Sequence, residues 1–152
     1  MEIRQADSRH PDFLMLKEKL EDFLDGEYKN YDTPRREYRK GDEDIDLTAV
    51  YIAYDNDAPI AISGFKMKDP TTAELKKVFV LPERTGGGIA TNLVSLVENA
   101  AKSAGAESIV LKTGKPLRSA ISLYLRLGYE FTPGYPPYQN DETAICMKKS
   151  LE

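Results

Sequence analysis

The stretch that most constrains how this chain can fold is Glu74-Leu-Lys-Lys-Val-Phe-Val80, followed by Pro82 and then Gly86-Gly87-Gly88-Ile89-Ala90. The apolar and β-branched run predicts a strand over Thr72 to Leu81. The glycines then open a helix whose Leu93, Leu96, Val97, Ala100, Ala101 and Ala104 recur at helical spacing. The first turn of a helix leaves backbone N–H groups without partners, and the helix dipole puts partial positive charge at the same end. Glycines let an anion approach that end closely, so the pattern points to a bound phosphate group. No Gly-Lys-Ser/Thr follows, and the spacing does not give Gly-x-Gly-x-x-Gly, which disfavours nucleotide-binding loops of those two kinds.

The length of 152 residues predicts one domain, 1–152, large enough for a real core. No apolar run approaches a membrane span, and Met1-Glu-Ile-Arg-Gln lacks the layout of a signal peptide. The expectation is therefore a cytoplasmic protein with no membrane partner. A net charge of −4 argues against a nucleic-acid partner, because that binding is driven by many cations against phosphate. With one cysteine, Cys146, and one histidine, His10, there is no internal disulfide and no Cys/His metal site. Cys146 reads as core filler in a terminal strand and His10 as a residue at a helix entrance.

Along the chain, Glu2 to Ala6 predicts a first strand. Phe13, Leu16, Leu20, Phe23 and Leu24 predict an amphipathic helix from Pro11, ended by Gly26. Glu27 to Asp46 is polar, with Tyr28, Tyr31, Arg35, Arg36, Tyr38, Arg39 and Asp42-Glu43-Asp44. It reads as a short helix with a solvated loop, or as a lid over a substrate. Leu47–Tyr54 and Pro59–Met67 flank the turn signal Asp55-Asn56-Asp57-Ala58 and predict a hairpin. Ser108–Lys112 is a short buried strand. A helix with Leu117, Ala120, Ile121, Tyr124 and Leu125 on one face follows, stopped by Gly128, and Glu142–Lys149 closes the sheet. This is an α/β chain with a mixed, mostly antiparallel central sheet.

Gly88-Ile89-Ala90 and, one strand and one helix further on, Ala120-Ile-Ser-Leu-Tyr124-Leu-Arg-Leu-Gly128-Tyr129 resemble the GNAT superfamily of acyl-CoA N-acyltransferases. The resemblance runs from about Leu47 to Leu151 and is most specific over Glu74 to Tyr129. It implies six to seven strands flanked by about four helices, acetyl-CoA as cosubstrate, and a primary amine on a small molecule or peptide as acceptor. It leaves a homodimer open. One departure stands out: the position three before Gly88, usually Arg or Gln in the family, is Thr85, and the nearby arginine is Arg84, one residue early.

By that resemblance, Arg84, Thr85, Gly86, Gly87, Gly88, Ile89 and Ala90 cradle the pyrophosphate. Val78, Phe79 and Val80 lend backbone groups to the pantetheine arm, as in strand addition, at a bulge that splays this strand from the next. Tyr124 is the expected general acid toward the leaving sulfur, or otherwise a core aromatic on its helical stripe. Glu74 is the expected base toward the amine, or otherwise a solvent-facing strand residue paired with Lys76. Phe131–Tyr138 carries Tyr135 and Tyr138 among prolines and reads as a wall of the acceptor site or as a rigid dimer or turn contact. Beside the enzyme stands a second reading, a CoA-binding sensor or interaction module without turnover.

Overall fold

The structure is a computed structural model that describes residues 1–35 and 46–152. Its elements are β1 (Glu2–Ala6), α1 (Pro11–Asn30), β2 (Ala49–Asp55), β3 (Ala58–Asp69), β4 (Thr72–Val80), a 3-10 turn (Pro82–Arg84), α2 (Ile89–Ser103), β5 (Ser108–Gly114), α3 (Arg118–Arg126), β6 (Glu130–Thr132) and β7 (Ala144–Ser150). The seven strands form one sheet in the order β1-β2-β3-β4-β5-β7-β6. Every neighbouring pair is antiparallel except β4 with β5. Three α-helices occur among the described residues, one fewer than the resemblance implied.

Both faces of the sheet are covered, which is why β2 reads as a run of apolar residues and not as an alternation. Its Ala49, Tyr51 and Ala53 join Leu93, Val94, Val97 and Ala101 of α2. Its Val50, Ile52 and Tyr54 face Phe13, Leu16 and Leu20 of α1 on the other side. Pro11 opens α1, and the His10 ring nitrogen Nδ1 accepts the Asp12 N–H at 3.1 Å, so the lone histidine is a helix cap. The turn between β2 and β3 is made by Asn56 and Asp57, both in left-handed backbone, as the sequence signal predicts.

Two helix expectations need correction. Helix α1 does not stop at Gly26 but runs on to Asn30, because the stripe Leu16, Leu20, Leu24 continues to Tyr28, which is buried. On α3 it is Leu123, not Leu125, that packs beside Tyr124 on the core; Leu125 is exposed. Residues 36–45, which hold Arg36, Tyr38, Arg39 and Asp42-Glu43-Asp44 of the lid reading, lie outside the described residues. No helix among the described residues is long and apolar enough to cross a membrane.

Candidate active site

Strands β4 and β5 pair only at Thr72 with Ser108, Ala73 with Ile109 and Glu74 with Val110, and then part. The cause lies in β4. Ile62 of β3 faces Phe79 while Gly64 faces Lys76, so Lys77 and Val78 together oppose Ser63, with Lys77 at φ +55°. Such a bulge bends and twists its strand, turning β4 away from β5. From Leu75 onward no strand among the described residues pairs with the β5-facing edge of β4. A cleft of about 960 Å³ opens along that edge, lined by Val78, Phe79 and Val80 on one side and Ala120, Leu123 and Tyr124 of α3 on the other.

At one end of the cleft lies the glycine loop. Gly88, at φ +81°, is the residue from which α2 starts, and no acidic side chain stands in the first turn of that helix. A Cβ added at Gly86, Gly87 or Gly88 would meet nothing within 4 Å, so the loop is open where a ligand would lie. Gly86, Gly88, Ile89 and Ala90 line the cleft. The two flanking side chains have protein partners: Thr85 Oγ1 donates to the Pro82 carbonyl at 2.9 Å, and Arg84 Nη2 donates to Asp55 Oδ2. An anion at this end would therefore meet backbone N–H groups and the helix dipole first.

At the other end sits Glu74, only 4% exposed, which removes the solvent-facing alternative while keeping its pairing with Lys76. Tyr135 donates its hydroxyl to Glu74 Oε2 at 2.7 Å, and Lys76 Nζ lies 3.6 Å from Oε1. Tyr135 is held in turn by Tyr138 edge-on at 5.4 Å and by Lys68, whose ammonium lies 3.9 Å over its ring. Burial, and then the Glu74 charge, push the Tyr135 phenol far up, so it stays a neutral donor. Lys76 donates to the Tyr138 hydroxyl at 3.3 Å. The structure thus brings Tyr135 and Tyr138 to Glu74. Tyr138 lines the cleft itself, whereas Tyr135 reaches the site through the carboxylate.

Tyr124 faces the cleft from α3 with its side chain buried and its ring edge-on to Tyr129 at 5.7 Å. Burial pushes its phenol up, so the hydroxyl carries its proton at neutral pH. Among the described residues that hydroxyl has no hydrogen-bond partner. Buried polar groups are nearly always satisfied, so an orphan facing a cleft fits a ligand atom.

The sequence reading missed how α1 closes the Glu74 end of the cleft. Tyr28 reaches the tip of β5, and a Cβ on Gly114 would lie 1.8 Å from its hydroxyl oxygen, so no larger residue fits beneath it. Arg35 binds Glu21 and Asp25 of α1, and Lys77 Nζ sits 3.3 Å from Glu21 Oε1. Burial works to raise the Glu21 carboxyl, but Arg35 and Lys77 together hold it below the ordinary carboxylate value. The fourfold spacing Leu16, Leu20, Leu24, Tyr28 is the signal that could have extended the helix to this point.

A model described as the acetyltransferase (GNAT) family matches residues 14–129. An IAA acetyltransferase of Azospirillum brasilense is 33% identical over 78 residues, 51% of this chain and 51% of that protein. The chain spans about half the length, or less, of the curated relatives it matches. The fold is shared with the PaiA N-acetyltransferase of Thermoplasma acidophilum in complex with coenzyme A, at TM-score 0.73 and 17% identity, covering 99% of each chain. It is also shared with a GNAT family acetyltransferase of Elizabethkingia anophelis with acetyl-CoA bound, at TM-score 0.68 and 19% identity, covering 99% of this chain and 97% of that one.

Proposed function

This chain belongs to the GNAT acetyltransferase family, and on that premise we propose that it moves an acetyl group from acetyl-CoA to a primary amine by direct attack. The acceptor is a small molecule or peptide, and the protein works in the cytoplasm. The observation that carries the reading is the division of β4 at its bulge: a buried carboxylate stands before it, and a strand edge leading to an open glycine loop lies beyond it. Two relatives of the same fold hold coenzyme A or acetyl-CoA, which supports that ligand here.

The residues fit such a ligand. Backbone N–H groups at Gly86–Ala90 would hold its pyrophosphate, and the free edge of Val78–Val80 would take up its amide groups. Acetyl-CoA supplies the acetyl group as a thioester. Amines are mostly protonated at neutral pH, so Glu74 attracts the ammonium and accepts the proton it must lose, at Oε1 or through water, while Tyr135 holds Oε2. Tyr124 keeps its proton and donates its hydroxyl as a hydrogen bond to the departing thiolate. Apolar walls from Leu111, Leu123 and Phe79 limit water around the reacting groups. No side chain is needed as a covalent acyl carrier; holding both substrates in one cleft supplies the rate through proximity.

The test is thiol release from acetyl-CoA against a panel of amines. Turnover by the wild type, with Glu74→Gln and Tyr124→Phe each slower while CoA binding is kept, is the expected result. The second reading is a CoA-binding module without turnover, motivated by Thr85 standing where the family usually has Arg or Gln. CoA binding with no thiol release across the whole panel would establish it.

A further inference from the structure

The pairing of Arg84 with Asp55 joins the glycine loop to the distant β2–β3 turn. Arg84 ends the 3-10 turn, whose backbone is tied down by Arg84 N–H to the Leu81 carbonyl at 2.8 Å and by Leu81 N–H to the Ile60 carbonyl at 3.0 Å. Asp55 ends β2 and pairs with Ala58 across the turn. Both backbones are therefore fixed by the sheet, and only the side chains are free to change partners. Arg84 lines the cleft with Thr85, Gly86 and Gly88. Asp55 holds it through Nη2, and among the described residues its side chain has no other partner.

A guanidinium has five N–H donors in a planar fork suited to phosphate, and one contact to Asp55 occupies a single corner of it. The two side chains are 38% and 35% exposed, so the contact is solvated enough to exchange. Arg84 holds the Asp55 carboxyl below its ordinary value, which keeps it charged. The loop thus presents a cation whose charge is already matched by a carboxylate, beside the place where a polyanion would lie.

We propose that Asp55 is a positioning residue that sets the affinity for CoA: it holds the Arg84 guanidinium, and the pyrophosphate binds by drawing Arg84 from it. The inference rests on the CoA reading of the cleft. Two consequences follow from its charge arithmetic. Removing the Asp55 charge leaves Arg84 for the phosphate and tightens binding, and that gain disappears when Arg84 is absent.

The experiment is isothermal titration of the full chain with CoA and with dephospho-CoA, which keeps the pyrophosphate and lacks the 3′-phosphate. Wild type, Asp55→Asn, Arg84→Gln and the double variant are compared, with Asp55→Ser as a second replacement. Asp55→Asn should tighten both ligands about fivefold at low salt, the scale of one partly exposed ion pair. Arg84→Gln should weaken both, and in its background Asp55→Asn should change affinity less than about twofold. Unchanged or weaker binding by both Asp55 variants overturns the inference. So does an equal gain with and without Arg84, which is plain repulsion, or a gain confined to CoA, which assigns the 3′-phosphate. No binding by any variant at millimolar CoA defeats the CoA reading itself; binding without an Asp55 effect defeats this inference alone.

Discussion

The two ends of the cleft are built from different materials. The glycine-loop end is made of backbone: left-handed glycines, the first turn of α2, and the edge that β4 exposes after its bulge. The Glu74 end is made of side chains from segments far apart in sequence, with Tyr135 lying 61 residues from Glu74 and Tyr28 rising from α1 to meet Gly114. A backbone site accepts one generic ligand and depends on few side-chain identities. A side-chain site chooses among acceptors and changes with each residue. If this division is right, substitutions at one end should alter one substrate and spare the other.

The largest effect should come from Glu74→Gln. It should lower kcat about a hundredfold or more, the scale of general base catalysis, and leave CoA affinity unchanged in titration. Weakened CoA binding in this variant would erase the boundary between the two ends. Next comes Gly114→Ala. Its new methyl drives the Tyr28 hydroxyl away, so the acceptor KM should rise about tenfold and stability fall by about 1 kcal/mol, as in a modest overpacking. CoA binding should again be untouched.

Gly88→Ala acts at the opposite end. A side chain at φ +81° costs roughly 1–2 kcal/mol, so the free loop relaxes from it and CoA must restore it on binding; CoA affinity should drop about tenfold or somewhat less while the acceptor KM stays put. The smallest effect is a dependence of stability on pH. Arg35 and Lys77 hold the folded-state Glu21 carboxyl below its ordinary value of 4.5, so the stability it adds is full above that value and is lost as the pH falls through the lower folded value. The group is 35% exposed, so its share is at most about 1 kcal/mol. Thermal melts below about pH 4.5 should show a shallower acid loss for Glu21→Gln than for wild type.

The division also explains what could be read without a structure. The glycine loop, α2 and the strand before it are local in sequence, and their periodicity and turn chemistry are visible within some thirty residues. The hairpin at Asp55–Ala58 was equally legible, and so was the buried Cys146. The burial of Glu74 was not, because alternation cannot say which edge of a strand is covered by a loop arriving sixty residues later. Gly26 misled because glycine ends a helix only where the backbone turns left-handed, and here the burial of Tyr28 carries α1 past it. Arg84 could be singled out by spacing, but its pairing with Asp55 depends on how two turns meet in space.

The proposed chemistry requires that the splayed edge of β4 and the glycine loop hold an acyl-CoA. Isothermal titration of the full chain with acetyl-CoA decides it. One equivalent bound at micromolar affinity, retained in Glu74→Gln and weakened in Gly88→Ala, is the predicted result. No detectable binding at millimolar acetyl-CoA would contradict it, leaving a family member that keeps the fold without the cosubstrate.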